Sequence, residues 1–242
     1  MKRALCVLLV LTALVSRAAA EPLQQREDLA DTVTVALNDR ASYVYTYAYP
    51  QVDPTDPSGE LINSFYQYRV SDAREFEIPM NADYYRTQDP AEDIRVEIGY
   101  EVTCNGEDYF SVLTDMKQGD LETFAGHTFS RSGLRAGSSV ALPYLLGMLE
   151  SGETDTWLQD RQTARANDLV REMVWDRLAA GKDIQTRADL EKEDLDYGFF
   201  PEEDFYLDET GNPVFYLQPG FAEDSGRLLT FPITIEDILD EM

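Results

Sequence analysis

The chain is poor in the residues from which most enzymes build reactive centres. Among 242 residues it holds one histidine, His127, and two cysteines, Cys6 and Cys104. One histidine excludes a two-histidine metal site and leaves few ways to assemble a Ser–His or Cys–His nucleophile pair. Positive charge is scarce as well. Twenty Lys and Arg face 46 Asp and Glu, for a formal net charge of −26. Such a surface repels nucleic acid and anionic lipid, and it attracts cations and basic proteins. Phosphate-binding glycine loops, dinucleotide fingerprints, nucleophile elbows and basic patches are missing too. No Pro-rich linker or low-complexity tract divides the chain.

The single long apolar run, residues 4–15, is too short for a membrane span, which takes roughly 20 apolar residues. Lys2 and Arg3 precede it, and Ala18, Ala19 and Ala20 follow it. That order reads as a secretory signal cleaved near Ala20. The expected product is secreted and begins at Glu21, with no stable membrane insertion. Removing Lys2, Arg3 and Arg17 with the leader takes three positive charges from the −26 total, leaving −29. Cys104 is then the only mature cysteine and no internal disulfide can form. It is either a reactive or intermolecular thiol or a small buried hydrophobe at a strand end. With no histidine or basic cluster nearby in sequence, the second reading is favoured.

An apolar content of 43% fits a globular chain, and the length suffices for a real core. After a flexible stretch at 21–31, residues 32–37 read as a strand. Residues 43–49 alternate strictly, with Tyr43, Tyr45, Tyr47 and Tyr49 on one face. Ser58 or a neighbour can cap a helix placing Leu61, Ile62, Phe65 and Tyr68 on one side. Residues 94–102 form the clearest strand, with Ile94, Val96, Ile98, Tyr100 and Val102 aligned. Asn105-Gly106 signals a hairpin, since both positions accept positive φ. Strands at 109–116 and 121–129 follow, then a short helical piece at 142–149.

The best helix is Thr156–Ala180, with Trp157, Ala164, Val170, Val174 and Leu178 in its apolar stripe and Gly181 as its stop. A second, acidic helix is expected at 187–195. Strands at 205–207, 214–217 and 228–231 and a short helix at 235–239 complete the chain. Strands and helices are interspersed, and hairpins join neighbouring strands. The expected class is α+β, a mostly antiparallel sheet with a long packing helix and short helices.

The segment 203–239, EDFYLDETGNPVFYLQPGFAEDSGRLLTFPITIEDIL, resembles the C-terminal signature of the bacterial extracytoplasmic domain of unknown function family 3298. Phe124-Ala125-Gly126-His127 is similar to a worn form of its Gly-Gly-Ala-His segment. The resemblance covers 94–242. Residues 32–93 more faintly resemble the companion domain of unknown function family 4163, through Tyr49-Pro50-Gln51 and Leu61-Ile62-Asn63. The two parts are expected to pack as one unit. The resemblance implies a non-catalytic extracytoplasmic domain. Members occur as the outer part of an anti-sigma factor that binds lysozyme and beside polysaccharide deacetylase domains. Here the loop at 220–225 is short and lacks the family's Pro-Tyr character. Pro219, Gly220 and Phe221, with His127, are the candidate ligand-binding residues.

His127 reads either as a general base or as a hydrogen-bonded structural histidine, and the second is favoured because a base also needs a nucleophile and an orienter. The acidic runs at 191–196 and 202–204 read as loose calcium ligands or as solvated faces. They lack the ligand spacing of a calcium loop. The tyrosine face reads as packing or as a sugar-stacking surface. No cofactor, metal site or catalytic residue is assigned. The leading expectation is an exported, non-enzymatic binding or sensing module for a basic protein, lysozyme-like, or a cationic cell-wall component. The alternative is a cell-wall hydrolase or esterase acting through carboxylates or His127. A third is a stand-alone structural domain whose acidity serves solubility.

Overall fold

The computed structural model describes residues 29–150, 152–181, 186–223 and 226–242. The expected leader and residues 21–28 lie outside them, as do Asp224 and Ser225 of the 220–225 loop. Five strands form the first sheet in chain order: β1 (Ala30–Ala36), β2 (Ser42–Ala48), β3 (Ile94–Asn105), β4 (Tyr109–Gln118) and β5 (Leu121–Ser130). All neighbours are antiparallel except β2 and β3, which run parallel. A parallel pair needs a crossover. Here α1 (Gly59–Asp72), a π turn (Ala73–Glu77) and α2 (Ile78–Gln88) supply it. The second sheet is antiparallel: β6 (Phe205–Leu207), β7 (Pro213–Leu217) and β8 (Leu229–Pro232). Around it pack α3 (Leu142–Leu145), α4 (Thr156–Ala180), α5 (Leu195–Gly198) and α6 (Ile235–Asp240). The α+β class and the mostly antiparallel sheet are as the sequence implied.

The tyrosines of β2 are core residues. Tyr43, Tyr45 and Tyr47 are almost fully buried beneath the helical crossover. Their hydroxyls meet successive turns of that crossover. Asn81 Nδ2 donates to Tyr43 at 3.3 Å, Tyr45 donates to Glu77 at 3.2 Å, and Arg74 Nη2 donates to Tyr47 at 2.9 Å. Two strand residues advance about 6.7 Å, and three to four helical residues advance about 4.5–6 Å, so the two ladders stay nearly in step. Burying a phenol is tolerable because its polar tip is partnered.

Several expectations are corrected. β1 starts at Ala30, and Leu29 before it is wholly buried. On α1 the inward face is Ile62, Asn63, Tyr66 and Val70, while Leu61 and Tyr68 point to solvent. Asn63 faces inward because its amide exchanges two 2.9 Å bonds with the Val52 backbone. The alternation of β3 breaks at a bulge between Val102 and Cys104, which exposes Val102 and buries Cys104. The β3–β4 hairpin forms, but neither Asn105 nor Gly106 has positive φ. A longer turn closes it, with Gly106 N–H donating to Tyr109 C=O at 3.0 Å. α4 has the expected bounds and stops at Gly181 in the left-handed region (φ 57°). Its stripe runs through Ala166, Val170, Val174 and Leu178, whereas Trp157 and Ala164 are exposed. The helix expected at 187–195 is a 3-10 turn (Lys192–Asp194) leading into α5.

Candidate functional site

Where the two sheets meet, β5 of the first runs beside β6 and β7 of the second. Gly126 makes this approach possible: a Cβ there would lie 1.9 Å from the Phe205 carbonyl oxygen. Side chains of β7 and the residue after it satisfy part of the β5 edge. The Gln218 amide bonds both N–H and C=O of Phe124, at 2.9 and 2.8 Å, and Gly126 N–H donates to the Tyr216 hydroxyl at 2.8 Å.

Beyond that edge opens a cavity of about 680 Å³. Its floor is β5 from Phe124 to Thr128. Phe65 and Arg69 of α1 form one wall, and Glu202, Glu203, Asp204 and Phe205 at the entry to β6 form the other. A smaller cavity of about 230 Å³ adjoins it, sharing Arg69, Phe124, Ala125 and His127 and adding Tyr45, Tyr49, Asp72, Glu77 and Asp115. The size suits a small ligand or a short peptide segment.

The cleft is electrically polarised. Arg69 stacks its guanidinium on the Phe65 ring at 5.4 Å. Among the described residues it makes no ion pair, despite the acid excess of the chain. Burial pushes Asp204 up to about 6, against the bond it accepts from Phe200 N–H, and the neighbouring Glu203 and Glu202 push it further. The Glu202 Oε2 atom is buried without a hydrogen-bond partner. Burial also raises Glu77, opposed by the bond from Tyr45.

His127 lines both cavities, with Phe65 at 5.2 Å and Tyr66 at 6.1 Å between ring centroids. Burial, and then the Arg69 charge, push it down to about 4, so it is neutral at pH 7. Its ring is held by aromatic contacts, and no side-chain hydrogen bond reaches it among the described residues. Ring packing thus holds His127 in place, where the sequence suggested hydrogen bonding.

Pro219, Gly220 and Phe221 line neither cavity. Phe221 covers Gly198, where a Cβ would meet its ring at 2.0 Å, and it packs on the core between the second sheet and its helices. His127 is thus the one candidate placed in the cleft, and the loop after β7 anchors α5. Nothing in the sequence marks Arg69, and 202–204 reads there as an undifferentiated acidic run. Only the fold sets the two walls opposite each other. The Phe124–His127 tetrapeptide, singled out for its resemblance, lies on the floor of the larger cavity, and all of it but Gly126 also lines the smaller one. Among the described residues no group of His, Cys, Asp and Glu side chains converges as a metal site requires. No described helix is long and apolar enough to cross a membrane. Cys104 is buried and free. Desolvation raises its pKa, and its Sγ lies 3.8 Å from the Tyr109 carbonyl oxygen.

No family model matches the sequence, and no curated protein matches it. In structure the chain is similar to a crystal structure of a member of the duf3298 family from Bacteroides fragilis, with 14% identity and a TM-score of 0.46 over 88% of this chain and 92% of that one, which is the family its C-terminal segment resembles.

Proposed function

We propose that this chain is an exported, non-enzymatic binding module of the cell envelope, and that its cleft receives a basic group of a protein or cell-wall partner. The observation that carries this reading is the polarised cleft. Glu202, Glu203 and Asp204 face a cavity whose other wall holds Arg69, with the unpartnered Glu202 oxygen on the acidic side. A buried carboxylate oxygen with no donor gains most from a cationic one. His127, held neutral among rings, makes no side-chain hydrogen bond to a hydroxyl or thiol among the described residues. The net charge would speed encounter with a basic partner and make it salt-dependent.

The test is retention of a basic lysozyme on the immobilised protein at low and moderate salt. Retention should fall sharply in Glu202→Gln/Glu203→Gln/Asp204→Asn. It should persist in Asp168→Asn/Glu193→Gln/Asp196→Asn, which removes as many charges elsewhere. Equal loss in both variants would mean bulk charge alone, and no retention at either salt would remove the reading.

One observation favours the hydrolase alternative. Asp204, pushed up to about 6 in a cleft, has the proton affinity of a general acid. Turnover of peptidoglycan fragments that disappears in Asp204→Asn would support it.

A further inference from the structure

We propose that the cleft takes an extended, basic peptide segment that adds to the edge of β5, running parallel to that strand and centred on His127. This rests on the binding reading above and names the form of the ligand.

The outward-facing groups of β5 determine what can pair with it. In a strand, alternate residues direct both N–H and C=O to the same edge. The Gln218 amide holds both groups of Phe124, so the even-numbered residues face outward. Their partners can be followed along the edge. Gly126 N–H is met by Tyr216, Thr128 C=O accepts from Val140 N–H at 2.9 Å, and Ser130 N–H and C=O pair with Ser138 and Gly137. Between Tyr216 and Val140 two outward groups, Gly126 C=O and Thr128 N–H, meet no side chain and no loop backbone among the described residues. Both residues line the larger cavity. Main-chain groups away from bulk water are nearly always paired, so this gap on the cavity floor is a place for a ligand.

The polarity of the gap sets the direction of the ligand. In a parallel ladder, one residue donates its N–H to residue i−1 and accepts at its C=O from residue i+1. With i at His127 these are Gly126 and Thr128, so a single parallel residue satisfies both. An antiparallel segment would set a carbonyl against the place of Tyr216 and an amide against that of Val140. Strand addition supplies affinity from the main chain, and side-chain contacts supply the choice. Here Arg69 repels a cation from the α1 wall and the 202–204 wall attracts it, which fixes where the basic side chain goes.

The probe is a pool of random pentapeptides with Lys at the central position. Its controls are the same pool with every amide N-methylated and one with Glu in place of Lys. On the 15N-labelled protein the Lys pool should move the Thr128 amide resonance downfield and slow its exchange. Both control pools should bind about tenfold weaker or worse. Thr128→Pro deletes the donor, together with the 2.9 Å hydroxyl bond to Ser111, and it should lose binding by a similar factor. If N-methylated peptides bind as well, or the Thr128 amide does not respond, main-chain pairing is wrong while the basic-partner reading stands. If the Glu pool equals the Lys pool, or no pool binds, both fall. Should Thr128→Pro fail to fold, the N-methylated comparison decides.

Discussion

His127 and Asp204 line the same cavity and titrate in opposite senses. His127 is near 4 in the folded protein against an ordinary 6.5. The unfolded chain therefore takes up the proton first, and stability is lost as pH falls from 6.5 through 4, by up to about 3 kcal/mol. Asp204 is near 6 against an ordinary 3.8. The folded chain takes that proton first, so stability is gained as pH falls through 6. Above 6 the ionised, buried carboxylate costs on the order of 3 kcal/mol. Urea unfolding at pH 7 and 4.5 checks both. His127→Phe, whose ring suits the Phe65–Tyr66 contacts, should lose less stability on acidification than wild type. Asp204→Asn should lose more, and it should match or exceed wild-type stability at pH 7. An unchanged pH dependence in both variants would contradict the buried placement of these groups.

At the scale of elements, the π turn Ala73–Glu77 is the informative join. Ile62, Tyr66 and Val70 face the core before it, and Ile78 and Ala82 face the core after it. At about 100° per residue, an uninterrupted α-helix would carry Ile78 well off that face, so the turn accommodates one extra residue. Removing exposed Glu75 should convert the segment to continuous α-helix with its tyrosine contacts retained and its melting temperature little changed. Removing Gln67 from α1 should rotate everything on one side of the deletion and cost several kcal/mol. Thermal unfolding of the two deletions distinguishes these outcomes.

The same turn explains what sequence reading missed. Strands and the long α4 were legible because period and caps agreed there: Asp155 accepts from Trp157 and Leu158 N–H at the start, and Gly181 stops the end. α2 was not legible. The extra residue shifts the apolar phase, and Phe76, Met80 and Tyr84 stay exposed, which blurs the amphipathic pattern. Of the cleft, His127 was identified because it is unique. Arg69 was not, since its significance lies in lacking a partner, which only the assembled fold reveals.

For the whole molecule, charge governs the response to solvent. Ion pairs such as Arg40–Asp89 and Arg95–Asp93 are solvent-exposed and contribute little. A net charge of −26 must then oppose compaction. Raising NaCl from a few millimolar to about 0.5 M should therefore raise the melting temperature by several degrees. A fall in melting temperature with salt would show that attractive pairs outweigh the repulsion.

The bulge that turns Val102 outward also seats Cys104 inside, against the start of β4 and the core of the second sheet. That sulfur is shielded from alkylation while the β3–β4 hairpin stays packed on the layer beneath it. With the only other cysteine at position 6, in the expected leader, the molecule carries a built-in chemical clock. The labelling rate of Cys104 measures how often this end of the hairpin opens, with no probe to be introduced and no core residue to be changed.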